Sequence, residues 1–424
     1  MTDAETWLYA QRQLVELFVR LSENHPLLQQ AENEVPLGAG LEQQVARAVD
    51  LLLDEQQPLP EAMNPLVKLR GLDRFLLLAA RGSPSPSTWL EADGRLYLLY
   101  RRSGSARKPR IQGQMGHLRT WMEHHWVFPK KVEGYDIELV QPNRLLTQGF
   151  GLLRERRELL KVAACHFEDG VKPLWRPDLK PERLQASDLT DPKRRWDSVL
   201  MELERAVVEK VHVLVLPELT IPPVLRERIQ EWLLLNHGRH SLLLVLAGSF
   251  HEPDPTQPCG ACNRTQLLDG KGRVVLDHRK LVKYGRTGAF EYINPGRTIQ
   301  LLTLPVGLVA TPICLDFCQA NHPIRTLWKV LGPDWLLVPA MGGAGSVSAH
   351  RNAARDLLLS HGSRTVLANQ SDEEAPVPGF VDDAPRDARL PEPLHPAPTF
   401  QLGFVRVWSE GEEAGNIPGP MLVN

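Results

Sequence analysis

From about residue 158 onward, short apolar runs alternate with amphipathic helical stretches. That alternation is the feature that most limits what this chain can fold into. LKVAACHF (160–167), VHVLVL (211–216) and SLLLVLAGSF (241–250) read as buried strands, with helical stretches at 196–209 and 224–235 between them. Residues 267–280 read as a hairpin turning at Asp269-Gly270-Lys271-Gly272. A strand at 306–314, a helix near 323–330, a strand at 335–340, a helix at 349–361 and a strand at 364–369 complete the set. Strands separated by helices of this length build layered α/β sheets, parallel or mixed.

The chain before residue 158 has a different texture, helical and polar. Thr2-Asp3-Ala4-Glu5 is a capping-box pattern, and Leu14, Phe18 and Leu21 follow at helical spacing. Leu41, Val45, Val49 and Leu52 mark a second amphipathic stretch, and Arg95 to Arg102 could form a strand. With 424 residues, two domains are expected: a mainly helical accessory domain at 1–157 and an α/β domain at 158–370. Residues 371–398 are rich in proline and acids, cannot bury a core, and read as a long loop or disordered segment. Within 371–424, a last strand at Phe400 to Trp408 would complete the α/β domain.

The charge balance narrows the partners. Lys and Arg number 49 and Asp and Glu 51, so the net charge of -2 gives no global field drawing in nucleic acid or an anionic membrane. The basic run from Arg101 to Arg110 has no interleaved aromatics and reads as a solvated loop, although an acidic partner or nucleic acid could use it. No apolar run is long enough to span a bilayer, and no apolar export segment follows the N-terminus. A cytoplasmic setting with reduced thiols is therefore expected. Five cysteines, an odd number, then serve as packing, metal ligands or a nucleophile.

Three positions stand out. Glu218 directly follows a buried strand in VLVLPEL, with Pro217 stiffening the turn. Lys280 ends the strand VVLDHRK, and Cys314 ends VGLVATPIC. Each has a plain reading: Glu218 a solvated loop acid, Lys280 a strand-end lysine keeping its head in water, Cys314 a small buried hydrophobe. The combination points elsewhere. Parallel strands in one sheet would gather their C-terminal ends, where α/β folds place ligand sites. A thiol becomes a nucleophile when a base or cation favours its thiolate, and a carboxylate with a lysine can supply that.

These contexts resemble the nitrilase, or carbon–nitrogen hydrolase, superfamily. LKVAACHFEDG is similar to the family's first strand, with His166 where glutamine is common. LVLPEL is similar to its glutamate motif, GRVVLDHRKL to its lysine motif and GLVATPICLDF to its cysteine motif. VLAGSF and the run from Ala349 to Gln370 extend the match, which covers about residues 158–370. The resemblance implies a four-layer α-β-β-α sandwich and an amidase-like enzyme. In it Cys314 would attack a small amide or carbamoyl amide, Glu218 would be the general base, and Lys280 with the backbone N–H of Leu315 would hold the oxyanion. Glu291, in AFEYINPG, is similar to a second family glutamate that would orient Lys280 or help protonate the leaving amine; its plain reading is a loop acid. Cys314-Leu315-Asp316 favours amide over nitrile. No metal or organic cofactor is required, and family members usually form homo-oligomers.

Two other functions use the same residues: a regulatory or binding module with a protein partner at 1–157, and an acyltransferase passing the acyl group to an amine. The remaining motifs read more plainly. Cys259-Gly260-Ala261-Cys262 has C-x2-C spacing but no second pair, so a loop turn is expected rather than zinc. Cys165 reads as core. His124-His125 with Trp121 and Trp126 reads as a structural cluster. Gly342-Gly343-Ala344-Gly345 lacks the lysine and hydroxyl of a phosphate loop and is expected to line the pocket with backbone.

Overall fold

The computed structural model describes residues 3–36, 38–80, 89–92, 96–100, 118, 121–122, 124–180, 182–254, 260–286, 288–319, 323–371, 379–382 and 400–405. The chain divides into two compact units, Met1–Lys131 with Glu410–Asn424, and Val132–Ser409.

The first unit is built on the helices Asp3–Glu23, His25–Glu34, Ala39–Leu53 and Pro65–Ala80, with an antiparallel sheet of Trp89–Ala92, Leu96–Tyr100 and His125–Pro129. The helical spacing seen in the sequence is its core: Leu14, Phe18, Leu21, Val45 and Leu52 are buried together. Buried Asp73 accepts the backbone N–H groups of His124 and His125 and pairs with His125 Nδ1 at 3.0 Å. Those histidines tie a helix to a strand.

The second unit is built on two large sheets, with two small ones beside them, one of which, Gly285–Arg286, Ala289–Glu291 and Arg183–Leu184, carries Glu291. In the first large sheet the strand order is Val274–Arg279, Ala261–Asp269, Leu244–Pro253, Val213–Val215, Leu160–Cys165 and Phe400–Val405. The central three strands run parallel, and the strands on either side of them antiparallel. The second sheet includes, in order, Phe380–Asp382, Arg364–Gln370, Trp335–Met341, Gly307–Ala310, Thr298–Leu304 and Tyr135–Val140. Side-chain alternation sorts each strand between two cores. Leu160, Val162, Ala164, Val213, Val215, Leu244 and Leu246 meet Leu302, Val309, Trp335, Leu337 and Val366 of the facing sheet. Ala163, Cys165, Leu214, Val245 and Ala247 turn outward onto Val199, Leu203, Leu225 and Ile229 of the helices Pro192–Val208 and Pro223–Leu235. On the far side the helix Ala344–His361 packs on Arg364–Gln370, with Ile324–Leu331 against it. The layers are helix, sheet, sheet, helix, as the family resemblance implied.

Three expectations are corrected. The boundary lies at 131/132 rather than 157/158, because Tyr135–Val140 pairs in parallel with Thr298–Leu304 and the helix Arg144–Glu155 buries Leu146, Phe150 and Leu153 in the inter-sheet core. The proline- and acid-rich stretch contains a strand, Phe380–Asp382, paired with Thr365–Leu367; most of its other residues lie outside the described ones. The last strand, Phe400–Val405, pairs with Leu160–Cys165. Finally, the strand before Cys314 belongs to the second sheet, so the three sequence motifs do not come from one sheet.

Candidate active site

The two large sheets bring the site together because one strand holds a residue of the glutamate motif and one of the cysteine motif. Pro339 O of the Trp335–Met341 strand accepts the Cys314 N–H at 2.9 Å, and the neighbouring Ala340 O accepts the Glu218 N–H at 3.3 Å. Glu218 follows Val213–Val215 through Leu216 and Pro217, and the turn closes with Thr220 Oγ1 donating to Pro217 O at 2.7 Å. Lys280 directly follows Val274–Arg279; its N–H donates to Asn263 O at 2.8 Å, and its carbonyl accepts the Gly296 N–H at 2.9 Å. Gly296 is required there, since a Cβ would stand 2.6 Å from Arg279 O. Cys314 lies past the strand Gly307–Ala310, at the start of a single turn, Leu315–Cys318. Its φ of 47° and ψ of -106° place a non-glycine residue in a strained region of the kind that gathers at functional sites.

The four side chains singled out in the sequence are all buried, each 2 to 4 % exposed. Lys280 Nζ lies 2.8 Å from Glu218 Oε1 and 2.8 Å from Glu291 Oε2, bridging two carboxylates. Glu218 also hydrogen-bonds the Cys314 side chain, and Met341 supplies a backbone hydrogen bond to that sulfur. The Lys280 ammonium, the two carboxylates and the thiol thus form one contiguous group.

Two residues that sequence reasoning missed complete it. Asn263 Nδ2 donates to Glu218 Oε1 and to Glu291 Oε1, each at 3.0 Å, holding the carboxylates at a fixed separation. His251 Nδ1 accepts the Ala186 N–H at 2.7 Å, so Nε2 carries the ring hydrogen and donates to Glu291 Oε1 at 2.9 Å. The Tyr284 N–H adds a bond to Glu291 Oε2 at 2.9 Å.

The charges follow from this packing. Burial opposes ionisation of Glu291, but the Lys280 charge and the His251 hydrogen bond outweigh it and hold the carboxyl well below its usual range. Burial likewise pulls Lys280 down, and the charges of Glu218 and Glu291 more than reverse it, so the amine stays protonated. Cys314 is pushed well above the usual thiol range, first by burial and then by the Glu218 charge, with Lys280 only partly opposing them. Cys314 therefore rests as a neutral thiol with the Glu218 carboxylate beside it.

A third missed residue couples the motifs. Asp316 is fully buried, and its Oδ1 accepts the N–H groups of Leu281 and Val282 at 2.8 Å each. Its Oδ2 takes the Ile313 N–H at 3.2 Å and pairs with His278 Nε2 at 3.0 Å. The cysteine turn is thereby fastened to the segment just after Lys280. The signal was an acid two residues beyond Cys314, which in the sequence bore only on the choice between amide and nitrile.

Among the other motifs, Gly342 and Gly343 link the Trp335–Met341 strand to the helix Ala344–His361, directly after the residue that meets the Cys314 sulfur. Cys262 is buried in the strand Ala261–Asp269; Cys259 and the run Arg101 to Arg110 lie outside the described residues. Cys165 is core. Among the described residues no helix is long and apolar enough to cross a membrane.

No protein-family model matches the sequence, and no curated protein matches it. The chain is similar in structure to members of the nitrilase superfamily. An amidase from Nesterenkonia sp. is 17% identical over 50% of this chain and 76% of its own, with a TM-score of 0.37. Saccharomyces cerevisiae Nit3, a member of branch 10 of the nitrilase superfamily, is 16% identical over 51% and 77%, also with a TM-score of 0.37. The C. elegans NitFhit protein is 15% identical over 59% and 61%, with a TM-score of 0.39.

Proposed function

We propose that this chain is a nitrilase-superfamily thiol hydrolase that cleaves a non-peptide C–N bond, an amide or carbamoyl amide, through a thioester on Cys314. The observation that carries the reading is Lys280 bridging Glu218 and Glu291 within the same buried group as the Cys314 thiol.

Glu218 accepts the thiol proton as sulfur attacks the substrate carbon, which answers the high proton affinity of the resting thiol. The negative charge moves to the substrate oxygen, where the Lys280 ammonium and the Leu315 N–H receive it. Protonated Glu218 then returns its proton to the leaving nitrogen, the C–N bond breaks and the thioester remains. Water attacks next, with Glu218 again taking a proton, and the carboxylic acid or carbamate leaves. Glu291, kept anionic by His251, Asn263, Lys280 and the Tyr284 N–H, orients Lys280 through both steps.

The test is a panel of small aliphatic amides and carbamoyl amides, read by ammonia release and by intact mass of the acyl-enzyme. Wild-type protein should release ammonia and carry one acyl group on Cys314, and C314A should do neither. Undiminished turnover by C314A, or no acylation by any substrate, would sink the reading. Adding amines to the same assay separates hydrolysis from acyl transfer by the product formed.

A further inference from the structure

His350 has no part in that mechanism, yet it sits beneath the nucleophile. It lies in the second turn of the helix Ala344–His361 and is completely buried. Its Nδ1 faces Ser346 O at 2.7 Å and its Nε2 faces Cys314 O at 3.2 Å. A carbonyl oxygen only accepts, and a neutral imidazole has one N–H to give. A neutral ring would set a nitrogen lone pair against a carbonyl on one side or the other, whichever tautomer it took. Only the imidazolium satisfies both contacts. The ring is enclosed by the cysteine turn, with Phe317 stacked at 6.1 Å between centroids and the Cys318 side chain hydrogen-bonded to it.

The atom His350 touches is what gives the contact meaning. The Cys314 carbonyl and the Leu315 N–H are two ends of one peptide group. That carbonyl already accepts the Phe317 N–H at 3.0 Å. A second, charged donor polarises the whole amide, and hydrogen bonds in a chain strengthen one another in a dry interior. The far end of that amide is the N–H assigned to the oxyanion. The same contact grips the peptide that follows the strained Cys314 backbone, whose N–H is held on the other side by Pro339 O.

We propose that His350 is a positioning residue, a buried imidazolium that clamps the Cys314–Leu315 peptide and strengthens its N–H as an oxyanion donor. The proposal rests on the thiol-hydrolase reading only for the oxyanion, not for the clamp. Burial disfavours charge on the ring, but its hydrogen bonds to Cys318 and to the two carbonyls prevail and raise its proton affinity, in agreement with the geometry.

Two measurements test it. The first compares two reactions of Cys314 in wild-type protein, H350L and H350Q. Alkylation by iodoacetamide needs the thiolate but builds no oxyanion; acylation by p-nitrophenyl acetate needs both. H350L should acylate about 10- to 100-fold more slowly, less than the roughly 100- to 1000-fold cost of removing an oxyanion donor outright, because the Leu315 N–H itself remains. Its alkylation should change by less than about threefold. H350Q, with one donor and no charge, should fall between. Equal loss in both reactions would reduce His350 to a structural support, and no loss in either would remove it from the site. The second measurement is nitrogen NMR of histidine-labelled wild-type protein, with H350Q identifying the signal. Both ring nitrogens of His350 should be protonated at neutral pH; a neutral ring would overturn the clamp whatever the ester does. If the wild-type protein is not acylated at all while the ring is doubly protonated, the hydrolase reading fails and the clamp stands.

Discussion

At the scale of single residues, the site is governed by a charge count. Glu218, Glu291 and Lys280 together carry one net negative charge, and Cys314 must lose its proton beside them. On the proposed mechanism the role of Glu218 is double: it raises the thiol's proton affinity at rest and would remove the proton during attack. E218Q should therefore abolish turnover and yet make the thiolate easier to form. The midpoint of the rate–pH curve for iodoacetamide alkylation of Cys314 should move to lower pH; an upward or absent shift would show that Glu218 does not face the sulfur. Glu291 gives a prediction of opposite kind. Its folded carboxyl titrates below the ordinary 4.5, so it stabilises the fold above that pH, and the contribution disappears as pH falls through the folded value. Urea unfolding of E291Q should show a flatter loss of stability below pH 4.5 than wild-type protein, and parallel curves would contradict the ion-pair geometry. Glu218, Lys280 and Cys314 stood out in the sequence because each follows or ends an apolar strand, whereas Glu291 was marked only by the family resemblance. Asn263 and His251 did not stand out. They lie within strands buried on both faces, and a buried polar residue there looks like the solvent-facing half of an alternating pattern.

At the scale of elements, the sequence revealed the strands and their order but not their pairing. Strand ends were expected to gather in one sheet. They gather from two, because Trp335–Met341 binds the backbones of both Glu218 and Cys314. Periodicity reports which side of a strand is buried and says nothing of what buries it. The same limit hid Asp316, whose carboxylate joins the turn after Cys314 to the segment after Lys280 and pairs with buried His278. D316A removes the acceptor for three backbone N–H groups and leaves His278 buried without its anion. Each buried donor left without its acceptor costs about 1 to 3 kcal/mol. Urea denaturation should show a loss of that order, together with lost acylation. D316N keeps one acceptor oxygen and should lose less stability. A D316A protein as stable as wild type would mean that the two motif segments are held by their sheets alone.

At the scale of the whole chain, what belongs to the α/β unit is decided by long-range pairing rather than by local texture. Tyr135–Val140 and Phe400–Val405 flank the motif-bearing region in sequence, and both are strands of its sheets. The sequence placed the last strand in the α/β domain but left Tyr135–Val140 outside it, since a strand far away in sequence carries no mark of its partner. The last strand is the more consequential. It pairs along the full length of Leu160–Cys165, and Phe400 is 2 % exposed in the core under the helix Pro192–Val208. Ending the chain at residue 399 would leave Leu160–Cys165 as an edge strand that is almost wholly apolar and buried in the intact fold. Such an edge pairs with other chains. The shortened protein should therefore aggregate on mild heating and melt earlier, as read by light scattering and calorimetry. The loss should reach the site as well, since the strand it uncovers leads directly into His166 and Phe167, which hydrogen-bond Asn369 and Gln370 at the end of the strand beside Trp335–Met341. A shortened chain that stays monomeric with Cys314 as reactive as before would show that the first sheet closes without its last strand.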